Sequence, residues 1–178
     1  MNINKTAVKY REWIVEALFK LMESYEFNEI TIKQITLTAD VSRQTFYRHF
    51  NSKEEILIEY SKGICSELSA RLNSLADYSL YNIANVYFSF WKEKSDLLIK
   101  LKKSKCEFLL MSFYNRIMRD SLNILRPAMA EYSDEDFEKL KAFLIGGFYN
   151  IKIDWMNRGF NEAPEKLAEL IDKTFSSS

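Results

Sequence analysis

Apolar residues recur along this chain at spacings of three and four. The first stripe holds Tyr10, Ile14, Ala17, Leu18, Leu21 and Tyr25 and predicts one amphipathic helix. It stops in the polar stretch Glu26-Phe27-Asn28-Glu29. Thr31 then precedes Gln34 by three positions, the pattern of a capping box, so a short second helix starts there. Asp40 is placed to end it, because Asp tolerates the left-handed turn conformation better than most residues. Ser42 is set to cap a third helix, Arg43 to about Phe50. Ser52 with Glu55 repeats the box and opens a fourth helix, whose stripe is Leu57, Tyr60, Ile64, Leu68, Leu72 and Leu75. Three helices in the first 50 residues, the last two joined by a tight turn, have the shape of a helix-turn-helix.

The pattern stays helical beyond residue 76. Tyr81 to Trp91 is dense in aromatics, and Asp96 to Lys105 ends in a basic run. Cys106 to Leu125 is apolar on more than one face, as a buried helix would be. Pro127 marks a break. After the acidic start Ser133-Asp134-Glu135-Asp136, a long stripe runs from Phe137 to Trp155 and closes at Arg158-Gly159. Pro164 opens a final helix carrying Leu167, Leu170, Ile171 and Phe175.

Composition sharpens this. With Gly 4 and Pro 2 in 178 residues, the chain lacks the turn residues an all-β domain needs. A 47% hydrophobic and 28% charged content is that of a globular domain rather than a disordered one. No uncharged apolar run is long enough to span a bilayer, and Met1-Asn2-Ile3-Asn4-Lys5 opens no signal-peptide core, so a cytoplasmic protein is expected. Cys65 and Cys106 are the only cysteines and His49 the only histidine. The chain therefore offers no metal cluster, phosphate loop or His-based nucleophilic site; we expect no cofactor, no metal and no enzyme.

Net charge is zero, so any nucleic-acid contact must come from a local patch. One exists. Between residues 30 and 53, Lys33, Arg43, Arg48 and Lys53 face only Asp40. The segment Val41-Ser42-Arg43-Gln44-Thr45-Phe46-Tyr47-Arg48-His49-Phe50 concentrates hydrogen-bond donors and stacking groups, with Val41, Phe46 and Phe50 available to dock it. Arg can bond guanine bidentately, Gln can bond adenine, and the Thr methyl can touch thymine. Tyr and Lys can hold phosphates and so fix register.

Residues 8 to 60, and above all Ser42 through Glu55, resemble the tetracycline-repressor (TetR) family of bacterial transcription regulators. The chain departs from the family's frequent alanine at Thr36 and glycine at Asp40. The resemblance implies an all-α protein in two parts, a DNA-binding head over 1–51 and a helical effector-binding and dimerisation body over 52–178. It implies that the helix from Ser42 to Phe50 enters the major groove. Arg43, Gln44 and Thr45 would meet bases or nearby phosphates, and Thr31, Tyr47, His49 and Lys53 would grip phosphates; Lys33 and Ser42 belong to the same DNA-facing patch. His49 has a second reading, packing beneath the head.

In the body, Tyr87, Phe88, Trp91, Phe108, Met111 and Asn115 are either core or the lining of a pocket for an apolar or aromatic effector. The lysines from 100 to 105 read as a solvated helix end or an anion patch. Gly146 and Gly147, costly in mid-helix, suggest close approach of a partner helix, with a local kink or close packing inside one subunit as the other reading. Gly147, Phe148, Ile151, Trp155, Leu167, Leu170 and Ile171 are dimer candidates with monomer core as their other reading. The expected function is a homodimeric regulator, a repressor on a palindromic operator, released by an effector. The alternative is a DNA-binding adaptor with the same head, controlled by a protein partner without a small-molecule pocket.

Overall fold

The computed structural model describes residues 5–106, 114–115 and 118–176. Among them there is no strand. The helices are α1 (Lys5–Leu21), α2 (Ile32–Thr38), α3 (Arg43–His49), α4 (Lys53–Asn73), α5 (Leu80–Glu93), α6 (Ser95–Lys103), α7 (Asp134–Asn157) and α8 (Pro164–Ser176), with short 3-10 turns at Phe27–Glu29, Leu122–Leu125 and Pro127–Met129.

The described residues divide into two compact units, one of residues up to Gly63 with Leu97 to Cys106, the other of Ile64–Asp96 with Tyr114 onward. These units divide differently from the 51/52 boundary read from the sequence. The reason lies at the end of α6. Ser104 Oγ donates to the Met22 carbonyl at 2.8 Å, and the Ser104 carbonyl accepts from Phe27 N–H at 2.9 Å. Lys100 pairs with Glu23 at 2.8 Å, and Lys105 pairs with Glu26. The basic run is thus occupied by the turn that follows α1.

In the first unit, Ile14, Ala17, Leu18 and Met22 of α1 pack with Ile35, Phe46, Phe50, Ile56 and Leu57. Tyr25 departs from the predicted stripe. The helix ends at Leu21, so Tyr25 lies in the following turn, 45% exposed, and Met22 takes the core position. In the second unit, α5 packs on α8, and α7 turns Phe137, Ile145, Phe148, Trp155 and Met156 inward at helical spacing. Ser133 caps α7 by accepting from Asp136 N–H at 3.1 Å; Gly159, at φ +75°, ends it in the left-handed conformation that glycine adopts freely.

Candidate nucleic-acid interface

The first unit builds its polar face from short local signals. Thr31 accepts from the Gln34 backbone N–H, while the Gln34 side-chain oxygen accepts from Thr31 N–H at 2.8 Å, closing the predicted box. α2 stops at Thr38, and Asp40 takes φ +52°, the left-handed turn expected of it. The Val41 N–H then reaches back to the Thr36 carbonyl at 3.0 Å. Ser42 caps α3 by accepting from Thr45 N–H at 3.0 Å. At the start of α4 the box is shifted by one residue. Ser52 Oγ accepts from Glu55 N–H, but the Glu55 carboxylate reaches Asn51, whose backbone and side-chain N–H groups both donate to it. Those bonds hold the Glu55 carboxyl below its usual pKa.

α3 is amphipathic over two turns. Phe46 is fully buried and Phe50, at the C-cap, is 1% exposed, their rings 6.2 Å apart. Arg43, Gln44, Tyr47 and Arg48 stand exposed on the other side, one turn separating Arg43 from Tyr47 and Gln44 from Arg48. Thr45 is half-buried, its hydroxyl 2.9 Å from Ser42 Oγ. Arg48 is on this face although only the charge count singled it out; its spacing of four from Gln44 was the available signal. Thr31 and Lys33 are exposed on and before α2. Leu37, 71% exposed on α2, is an apolar residue that no stripe had flagged.

Two residues have other occupations. The Lys53 ammonium donates to the carbonyls of Phe27 and Ile30 at 2.7 Å and of Asn28 at 3.2 Å, and lies 4.7 Å from the Phe27 ring centre. It ties the start of α4 to the turn after α1. His49 is half-buried with its ring 6.4 Å from that of Tyr10, and its carbonyl accepts from Arg11 at 3.4 Å. Arg11 also pairs with Glu59 at 3.2 Å and lies over Phe50.

Comparison with known proteins places this head. The family described as "Bacterial regulatory proteins, tetR family" matches residues 14–60, and "Transcriptional regulator C-terminal region" matches residues 78–177. The chain belongs to the TetR family of transcription regulators. The dhaKLM operon transcriptional activator DhaS of Lactococcus lactis is 32% identical over 78 residues, 44% of this chain and 40% of that protein. The uncharacterised regulator YxbF of Bacillus subtilis is 26% identical over 115 residues, 64% of this chain and 28% of that protein. These matches thus span less than half of either relative. Two solved structures share the fold. The dihydroxyacetone kinase operon activator DhaS has a TM-score of 0.63 at 22% identity, over 93% of both chains. The fatty acid degradation regulator FadR of Bacillus halodurans has a TM-score of 0.64 at 15% identity, over 95% of both.

The second unit of this TetR-family chain holds the pocket and dimer candidates. Of the pocket candidates, Phe108 and Met111 lie outside the described residues. Tyr87, Phe88 and Trp91 are buried on α5 and Asn115 is half-buried. Tyr87 and Tyr114 share a hydrogen bond of 2.7 Å between hydroxyls, and burial pushes both phenols well above their ordinary pKa. They border a cavity of about 10 Å³, room for one water, whose walls include Leu80, Ile83, Met118, Leu122 and Phe148.

Of the dimer candidates, Phe148, Trp155, Leu167 and Ile171 are core of this chain itself. Phe148 stacks on Phe88 at 5.8 Å, and Trp155 meets Phe88 and Phe160 edge-on while its indole donates to the Glu162 carbonyl at 3.1 Å. Gly147 and Ile151 are half-buried, and Leu170 is 61% exposed. With Phe137, Phe148 and Trp155 buried, the predicted stripe is the inward side of α7. Its outer side carries Phe143, 59% exposed, whose ring touches that of Phe175 on α8 at 5.9 Å. Among the described residues a Cβ on Gly146 or Gly147 would meet nothing within 4 Å, so packing against them does not explain either glycine.

Lys152 is the residue that sequence reasoning missed here. It is 4% exposed on α7, among Trp91, Tyr114 and Tyr149. The signal was present: position 152 continues the inward series 141, 145 and 148 at helical spacing.

Among the described residues no group of His, Cys, Asp and Glu could hold a metal ion, and no helix is long and apolar enough to cross a membrane.

Proposed function

We propose that this TetR-family regulator is a homodimer that binds a palindromic operator through α3 of each protomer and represses by occupying it. The observation that carries the reading is the exposed face of Arg43, Gln44, Tyr47 and Arg48, held rigidly because Phe46 and Phe50 are anchored in the core. Arg43 and Gln44 supply bidentate hydrogen bonds to base edges, and the Thr45 methyl supplies contact with thymine. Thr31, Lys33, Tyr47 and His49 fix register on phosphates. Two protomers place their α3 helices in major grooves about one helical turn, or a multiple of it, apart.

The dimer surface in this proposal is the outer side of α7 and α8, with Phe143, Gly147, Leu170 and Phe175. Three large apolar groups there are at least half exposed, and the two glycines leave room for a partner helix. An effector bound in the second unit releases DNA only if it favours the state whose α3 spacing does not fit the operator.

A second reading keeps the head and changes the control: a DNA-binding adaptor that activates and takes its signal from a protein partner. The similarity to DhaS, an operon activator, and the single-water size of the cavity favour it. Selection from a random duplex DNA library at near-physiological salt tests both. Enrichment of a palindrome supports the shared claim of a sequence-reading dimer; folded protein that enriches nothing contradicts it. Reporter expression from the enriched site then gives the sign, a fall for repression and a rise for activation.

A further inference from the structure

The Lys152 ammonium sits 4.2 Å from the ring centre of Trp91 and 4.6 Å from those of Tyr114 and Tyr149. Among the described residues no carboxylate pairs with it; the titratable group acting on it is the Cys65 thiol of α4. The side chains facing it are thus Cys65 from α4, Trp91 from α5, Tyr114, and Tyr149 from its own helix, with the Tyr87 hydroxyl bonded to Tyr114 behind them. Trp91 is 3% exposed, and among the described residues its indole N–H makes no well-formed hydrogen bond, although it lies near the Tyr87 hydroxyl.

This group is rich in donors. Lysine brings three N–H bonds, tryptophan one, and the tyrosine pair uses one of its two O–H bonds internally, leaving another. Buried donors without acceptors are costly, and a partner that only accepts would satisfy them together. A carboxylate is such a partner, and its charge would compensate the lone buried cation.

We propose that Lys152 anchors the carboxylate of a small organic acid, with the Trp91 indole N–H and the spare tyrosine hydroxyl completing its hydrogen bonds. The cavity that Tyr87 and Tyr114 also border holds only one water as it stands, so the acid's apolar body enters there only as the cavity opens. Admitting it displaces Met118, a flexible side chain suited to repacking. This deepens the effector-controlled reading above and rests on it, because it names the chemical class of the effector.

Binding should be coupled to a proton. Burial lowers the Lys152 pKa from 10.5 to about 7, so at pH 8 the free site holds mostly neutral amine. A bound carboxylate favours the ammonium, and the site takes up a proton as it binds.

The test is calorimetric titration at pH 8 with benzoate and hexanoate, in phosphate and in Tris, with benzamide and hexanamide as uncharged counterparts. The acids should bind at least about tenfold more tightly than the amides, as for a hydrogen bond to a charged group. Their heats should differ between the buffers as proton uptake approaching one per acid requires. Lys152→Met should bring acid binding down to the level of the amides, with folding checked by circular dichroism. Trp91→Phe, which removes the N–H but not the cation, should weaken the acids severalfold. Equal binding of acids and amides, retained acid preference in Lys152→Met, or no acid binding to folded wild-type protein would each overturn the proposal. Operator selection uses ligand-free protein, so its failure is read separately from failure of the acid titration.

Discussion

Gln44 and Tyr47 occupy the same exposed face of α3 but do different work in this account, and affinity measurements can separate them. Gln44→Ala should cost about 1–3 kcal/mol on the preferred duplex and relax preference at one base pair. Tyr47→Ala should weaken binding to all duplexes alike, because a phosphate contact carries no sequence information. Unchanged affinity in both variants would refute the assignment. Lys152 gives a prediction about stability. Its folded pKa of about 7 lies below the 10.5 of an ordinary lysine, so between those values the unfolded chain binds more protons. Its destabilising effect is therefore full below about pH 7 and fades as pH rises toward 10.5. Lys152→Met should melt at a higher temperature than wild type at pH 6, and the gap should narrow by pH 10 in thermal melts followed by circular dichroism. A gap that widens with pH would contradict the buried ammonium. The exposed placement of Arg43 and Gln44 was legible from the sequence because its signals are local: a serine cap before them and two phenylalanines one turn apart beneath. Lys53 was not, since its carbonyl partners lie 23 to 26 positions away.

At the scale of elements, caps fix where the head's helices begin and a distant segment fixes how the first unit closes. Ser42→Ala removes the acceptor for Thr45 N–H and should cost about 1 kcal/mol in chemical denaturation. Ser104→Ala should cost a similar amount, about 1 kcal/mol, because the lost hydroxyl bonds the buried Met22 carbonyl. No change in the latter would show that the end of α6 contributes nothing to the first unit. Helix starts at Ser42 and Ser133 and the ends at Asp40 and Gly159 were readable in sequence, since each depends on one side chain or one left-handed residue. The docking of Ser104 on Met22 was not readable, because it joins segments 82 residues apart and no periodicity records such a contact. Which side of α7 would be left for a partner stayed open for a related reason. Phe143 and Phe148 are equally apolar, and only the positions of α5 and α8 decide which of them is covered.

At the scale of the molecule, the outer side of α7 and α8 and the exposed side of α3 make one joint claim: protomers pair through the former and read DNA through the latter. Phe143→Asp combined with Leu170→Asp should leave a folded monomer by analytical ultracentrifugation, with half-site binding retained and full-palindrome affinity lost. A dimer that survives both changes would move the interface elsewhere. The central claim is that Arg43 and its neighbours read base sequence, and the most direct measurement is the random-library selection repeated with Arg43→Ala. The account predicts that the variant loses preference at a symmetric pair of positions in the enriched palindrome while keeping its salt-dependent affinity for DNA in general. An identical consensus from wild type and variant would contradict it.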